Sequence, residues 1–255
     1  SLGHCKYLYP KQNEYQDKIK FDFAKKLKRN LSSIRKINEQ QLLHDVNKKR
    51  QLACALWLID KLSIRIGNEK DSNQADTYGV CTLLIKHVNM IDSKKMSLDF
   101  LGKDSIRYNK ECTITSSISK VLKDSMNNKK KNEQLFDLID ANSMNRYLDK
   151  LLPGLTAKVF RTTHASRKFC SLLHLKPDNE DPIKYFKSAN NKVAMLCNHI
   201  RNSSVSTITS KTNYIDPRII YSYSFKHNID IHKLLSHSLI EKYQWASTIG
   251  NSYKF

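Results

Sequence analysis

Across 255 residues, 44 Lys and Arg stand against 24 Asp and Glu, a formal charge of +20 at pH 7. With 40% hydrophobic residues the chain can bury a proper core, which excludes a disordered tail as its default state. The cationic surplus points to a polyanionic partner, nucleic acid first, whose binding should depend steeply on salt. An acidic protein or a ribosomal neighbour is the plainer alternative.

The six cysteines (Cys5, Cys54, Cys81, Cys112, Cys170, Cys197) are scattered without a C-x-x-C pair. That pattern supports neither a metal site nor a disulfide framework, and it fits a reducing intracellular compartment. Most lie in apolar runs, where cysteine behaves as a small buried hydrophobe. No stretch approaches the roughly 18 apolar residues that span a bilayer, so no membrane partner is expected. No signal peptide opens the chain, and its abrupt start at Ser1 fits a fragment.

Residues 17–33 alternate Lys and Arg with Ile19, Phe21, Phe23, Leu27 and Leu31, which predicts a basic helix. A second helical pattern covers 46–66 and is expected to stop at Gly67. The rhythm then changes, and 80–88, 96–101 and 105–108 read as strands. Gly102-Lys103-Asp104 forms the turn between the last two, placing Lys103 at a hairpin tip. Helical patterns return over 116–126, 134–152, 155–175 and 182–200, with Lys129–Lys131 read as a solvated turn. The Ser/Thr-rich stretch 202–212 lacks periodicity and reads as a linker. A helix is expected near 231–246 in the final segment, and no internal repeat appears.

Breaking a phosphodiester without a metal needs a nucleophile, cationic donors for the growing oxygen charge, and an acid for the departing alkoxide. Arg65, Lys103, Arg161, His199 and Tyr214 are the residue types for those roles. Taken singly, each has a structural explanation. Arg65 follows a hydrophobic helix face and reads as a helix-end residue. Lys103 is an ordinary hairpin lysine, His199 a C-capping histidine and Tyr214 a packed aromatic. Arg161 is the hardest to explain as surface, because its surroundings (LTAKVFRTT) are apolar.

The words around these residues lift them above that. Lys61-Leu-Ser-Ile-Arg65-Ile-Gly-Asn-Glu-Lys70 followed by Ala75-Asp-Thr-Tyr-Gly79 resembles the first-arginine block of cellular type IB DNA topoisomerases. Phe100-Leu-Gly-Lys103-Asp-Ser-Ile-Arg-Tyr108 is similar to that family's hairpin lysine, and Gly154-Leu-Thr-Ala-Lys-Val-Phe-Arg161-Thr to its second arginine. Ala189 to His199 (ANNKVAMLCNH) resembles the histidine block, and Ser210-Lys-Thr-Asn-Tyr214-Ile-Asp-Pro-Arg218 the nucleophile block. These five words keep the family's order, and the resemblance runs from about Lys6 to Phe255.

The resemblance implies a mainly α fold with a small antiparallel sheet (α+β), the tyrosine recombinase/topoisomerase IB catalytic fold. Residues 1–201 would form the core, 202–212 a short linker, and 213–255 the C-terminal domain with the tyrosine. It implies that Tyr214 attacks while Arg65, Arg161 and His199 bind the scissile phosphate and Lys103 protonates the leaving 5′-oxygen. Lys70, Thr77, Asp104, Asn145, Lys158 and Asn213 would lie along double-stranded DNA. No cofactor, metal or ATP is implied. A separate cap-domain chain or segment, camptothecin-class inhibitors, and the nucleus (alternatively a mitochondrion or viral factory) are implied as partners and place.

Three features depart from the family pattern. Its cap domains do not precede Ser1, and only fourteen residues separate His199 from Tyr214, where most cellular members insert a long linker. Ile66 and Thr163-His164 replace the commoner Ala and aromatic-Asn. The nearest rival is a tyrosine recombinase or integrase, but its His-x-x-Arg box is reversed here as Arg161-Thr-Thr-His164. A basic DNA-binding module without catalysis is the other alternative.

Overall fold

A computed structural model describes residues 11–67, 77–198, 200–201, 204–205 and 207–255. The chain divides into two compact units. The first comprises Arg29–Arg161, and the second the described residues up to Lys28 together with Thr162–Phe255. Helices dominate, and the sheets are small and antiparallel. No helix among the described residues is long and apolar enough to cross a membrane.

Helix α1 (Lys11–Leu42) is longer than its charge pattern suggests. Its buried positions Phe21, Ala24, Leu27, Leu31, Ile34, Asn38 and Leu42 recur every three or four residues, the spacing of one helical face. In the Arg29–Arg161 unit, α2 (Asn47–Leu62) is its apolar centre, with Ala53, Cys54, Ala55, Leu58 and Ile59 fully buried. Asn38 joins the two, donating its side-chain N–H to the Ala53 carbonyl at 2.9 Å and accepting from the Tyr147 hydroxyl at 2.9 Å.

α2 does not run to Gly67. Ser63 ends it in the left-handed region (φ 56°) and donates its backbone N–H to Ile59 at 3.0 Å. Gly67 (φ 77°) has another use, since it lies against Gly79. A Cβ on Gly79 would come within 2.3 Å of the Gly67 nitrogen and 2.8 Å of the Arg65 carbonyl oxygen. Val80 and Cys81 donate to the carbonyls of Arg65 and Ile66, both at 2.8 Å, and fasten the two segments together.

The apolar run 80–88 is not one strand. It makes two 3-10 turns, Val80–Thr82 and Ile85–His87, before strand β1 (Val88–Met90) begins. A short run buried on all sides carries no period to distinguish strand from turn. Its backbone bonds instead to 131–135: Leu135 donates to Leu83 at 2.8 Å and Ile85 to Glu133 at 3.0 Å. That pairing also explains why the helix expected from 134 starts later, as α4 (Ala141–Leu151) behind an Asp140–Ser143 capping box. Lys130 and Lys131 are exposed, as expected of a solvated turn, but Lys129 is half-buried: its Nζ donates to the carbonyls of Gln134 and Leu135 and pairs with Asp137 at 2.8 Å.

Strands β2 (Lys95–Leu101) and β3 (Arg107–Thr113) complete a meander in the order β1-β2-β3. β2 alternates exposed and buried residues, with Met96, Leu98 and Phe100 inside. The third expected strand therefore starts later and runs further than 105–108. Helix α3 (Ser116–Met126) falls where the sequence places it, N-capped by Thr115.

Helix α5 (Ala157–His174) contributes residues to both units. In the second unit α6 (Pro182–Leu196) stops before 200, because Asn198 turns left-handed (φ 55°). Strands β4 (Ile200–Arg201) and β5 (Ser204–Val205) form a small hairpin, and α7 (Thr207–Asn213) occupies most of the stretch read as a linker. Its polar side chains hide the helix from a periodicity reading, since Thr212 bonds back to the Ile208 carbonyl at 2.9 Å and Asn190 of α6 donates to the Thr207 carbonyl at 3.2 Å. Helix α8 (Pro217–Lys226) follows. The single helix expected over 231–246 is divided into a 3-10 turn (Ile231–Lys233), α9 (His237–Lys242) and another 3-10 turn (Gln244–Ala246). Tyr243 sits at the second break, fully buried, with its hydroxyl on the Thr212 carbonyl at 2.6 Å.

The close approach of Gly67 and Gly79 generates a test. Gly79→Ala should destabilise the protein by about 2 kcal/mol or more in urea unfolding, since backbone meets the new methyl. Gly250→Ala, with nothing within 4 Å of its Cβ, should stay within about 0.5 kcal/mol of the parent. Equal effects at the two sites would contradict the packing described.

Candidate active site

Three of the five residues selected for catalysis belong to the Arg29–Arg161 unit: Arg65, Lys103 and Arg161. The end of α2 ties two of them together. Helices finish with carbonyls that lack partners, and here two of these are taken by side chains. The Tyr108 hydroxyl donates to Leu62 at 2.8 Å, and Arg161 donates to Ser63 from Nε at 3.2 Å and from Nη2 at 2.7 Å. Arg161 is only 6% exposed, so the apolar run around it does mark a buried charge. The chain leaves Ser63, buries Ile64, and presents Arg65 half-buried on a backbone pinned by Val80.

Tyr108 is itself enclosed, stacked on Phe100 with centroids 5.0 Å apart. Burial pushes its pKa well above the usual tyrosine range, against the opposing pull of the nearby Arg161 charge. It therefore stays a neutral donor to Leu62.

Lys103 is exposed and opens a 3-10 turn (Lys103–Ser105) between β2 and β3. The turn is braced from both sides: Gly102 donates to Ile106 at 2.8 Å, and Tyr78 to Leu101 at 2.7 Å. Below it, Arg107 forks onto Asp99, with Nε–Oδ1 at 2.8 Å. Hydrogen bonding from Arg107 holds the Asp99 carboxyl below the usual range. Asn145 on α4 and Lys158 on α5 are exposed, and Thr77 is half-buried. Lys70, His199 and the side chain of Asp104 lie outside the described residues.

Tyr214 belongs to the other unit, at the junction of α7 and α8, and is 5% exposed. Asn213, half-buried, ends α7 just before it. Four backbone groups around Tyr214 have partners. Its N–H and that of Ile215 both donate to the Ser210 carbonyl, at 2.9 and 3.0 Å. Its own carbonyl accepts from the Ser166 hydroxyl at 2.8 Å, and the same oxygen of Ser166 accepts the Asp216 N–H at 2.9 Å. Each such buried bond contributes about 1 kcal/mol, and leaving one group unpaired costs about 1–3 kcal/mol.

Asp216, fully buried, caps α8 through the Arg218 N–H and carries the Arg218 guanidinium at 2.8 Å. The Tyr253 hydroxyl donates to the same carboxylate at 2.9 Å, and Arg218 reaches Asp22 at 2.7 Å. Burial pulls the Arg218 pKa down, but the hydrogen bond and charge of Asp216 outweigh it and hold it above its ordinary value. Lys211 donates to the Leu234 carbonyl at 3.1 Å, and burial with the neighbouring Lys187 charge lowers its pKa. Ser63, Tyr108 and Ser166 were not selected from sequence. A serine or tyrosine whose partner lies far along the chain carries no local signal.

The Arg29–Arg161 unit carries guanidinium groups and a lysine, and the other unit, taken by itself, carries a tyrosine with a hydrogen-bonded backbone. Those are the groups that act on phosphate oxygens and phosphorus.

Comparison with known proteins shows the family. The family model for eukaryotic DNA topoisomerase I, catalytic core, matches residues 10–226. DNA topoisomerase 1 alpha of Arabidopsis thaliana is 30% identical over 94% of this chain and 35% of its own length. DNA topoisomerase 1 of Schizosaccharomyces pombe is 40% identical over 73% of this chain and 23% of its own length. Human DNA topoisomerase 1 is 29% identical over 94% of this chain and 43% of its own length. The chain thus spans 23–43% of the length of these three relatives. By the breadth of that match, the chain belongs to the eukaryotic DNA topoisomerase I family and carries the catalytic core.

Proposed function

We propose that this chain relaxes supercoiled double-stranded DNA by type IB chemistry. The observation that carries the reading is the family match over 10–226, a span holding Arg65, Lys103, Arg161, His199 and Tyr214 together. The Tyr214 phenolic oxygen gives up its proton to water and attacks phosphorus, and the bond from phosphorus to the 5′-oxygen breaks. Lys103 gives its proton to that oxygen, leaving a 5′-hydroxyl and a 3′-phosphotyrosyl diester. Arg65, Arg161 and His199 hold the non-bridging oxygens as charge grows on them. One diester replaces another, so after the free strand swivels the 5′-hydroxyl attacks back and reseals without ATP.

Lys70, Thr77, Asp104, Asn145, Lys158 and Asn213 contact the DNA near the break, mostly its backbone, so relaxation has little sequence preference. The +20 charge supports the same partner. A cap supplied by another segment or chain closes the duplex against this core, camptothecin-class compounds lodge at the cleaved site, and the nucleus is the place of action.

Two outcomes test the reading. Relaxation in EDTA without ATP should proceed with the parent chain and fall by at least about a thousandfold with Tyr214→Phe. Equal relaxation by both would remove Tyr214 from the chemistry. Lys103→Ala should slow cleavage of ordinary DNA by about 100-fold or more. Most of that loss should vanish on a substrate whose 5′ leaving group departs without a proton. An undiminished loss on that substrate would remove Lys103 from the acid role.

A further inference from the structure

Ser166 lies in the middle of α5 and is fully buried. A helix-interior serine ordinarily turns its hydroxyl back onto a carbonyl of its own helix or out to water. Ser166 does neither: it donates to the Tyr214 carbonyl at 2.8 Å and accepts from the Asp216 N–H at 2.9 Å. One oxygen thus holds both peptide groups that flank Ile215. Asp216 is in turn fixed by Arg218 and Tyr253, and Tyr214 by Ser210.

From this we infer that Ser166 is a positioning residue for Tyr214, setting the backbone from which the phenol is aimed. The inference rests on Tyr214 being the nucleophile. Two side-chain torsions separate the tyrosine backbone from its ring, so a shift of the main chain passes to the phenolic oxygen almost whole. Attack at phosphorus is intolerant of such shifts, and a misplacement of about 1 Å costs about 100-fold in rate. Alanine at 166 leaves a buried N–H and a buried C=O that regain partners only if the chain moves.

The test is single-turnover cleavage at saturating DNA by Ser166→Ala, with thermal unfolding measured on the same sample. Cleavage should slow by about 10- to 100-fold per folded molecule. DNA affinity should not change: Tyr214→Phe and the double variant Tyr214→Phe/Ser166→Ala should bind within about twofold of each other. Ser166→Cys, slightly larger but retaining a weaker donor, should fall between alanine and the parent. It takes alanine's place if the alanine variant does not fold. Parent-like cleavage by either variant overturns the inference, as does a rate loss matched by an equal loss of DNA affinity. Tyr214→Phe run alongside separates the two ideas. If it alone is inactive while Ser166→Ala cleaves normally, the nucleophile stands and the positioning role falls. If Tyr214→Phe still cleaves, the nucleophile assignment fails and this inference falls with it.

Discussion

A guanidinium buried to 6% exposure has to be hydrogen-bonded, and Arg161 meets that demand on the backbone oxygen of Ser63. That bond falls on a serine held in the left-handed region at the last turn of α2. The turn redirects the chain, and Arg65 comes two residues later. With five N–H donors a guanidinium can hold a carbonyl and still serve other acceptors. Arg161 is therefore both a candidate phosphate ligand and part of the frame that places the other arginine. A lysine there would keep the charge and lose the fork.

The tyrosine is held by the same kind of device. Around Arg65 the orphan carbonyls of a helix end are taken by Tyr108 and Arg161, and the close Gly67–Gly79 contact fixes the segment beyond it. Around Tyr214 the carbonyls and N–H groups of a helix junction are taken by Ser166 and Ser210, and Asp216 starts the next helix. In both places the candidate catalytic side chain is carried by a non-helical segment whose backbone is pinned by hydrogen bonds. Such segments keep the chemistry at a helix end without letting it fray.

Much of this is legible in the residues. The hairpin around Lys103, helix α3 and the five family words can be read directly, because each is local. Arg161 betrays itself as a charge in an apolar run. The features that escape a sequence reading depend on distance along the chain. Ser63 and Arg161 are 98 residues apart, and Ser166 and Tyr214 are 48. The run 80–88 mimics a strand because burial on all sides erases periodicity, and its pairing with 131–135 delays α4 as well. Helix α7 is hidden by serines and threonines whose hydroxyls and backbone bond within α7 and to Asn190. Gly67 has the backbone of a helix stop but does not act as one, since its left-handed conformation makes room for Gly79 while Ser63 ends α2.

Type IB chemistry on this chain requires a covalent bond between Tyr214 and a 3′-phosphate. Quenching the protein with detergent during turnover on DNA, then digesting both polymers and sequencing the modified peptide by mass spectrometry, reads that bond directly. A nucleotide remnant joined through its 3′-phosphate to Tyr214 is the result expected. A remnant on any other residue, or one joined through a 5′-phosphate, would contradict the account.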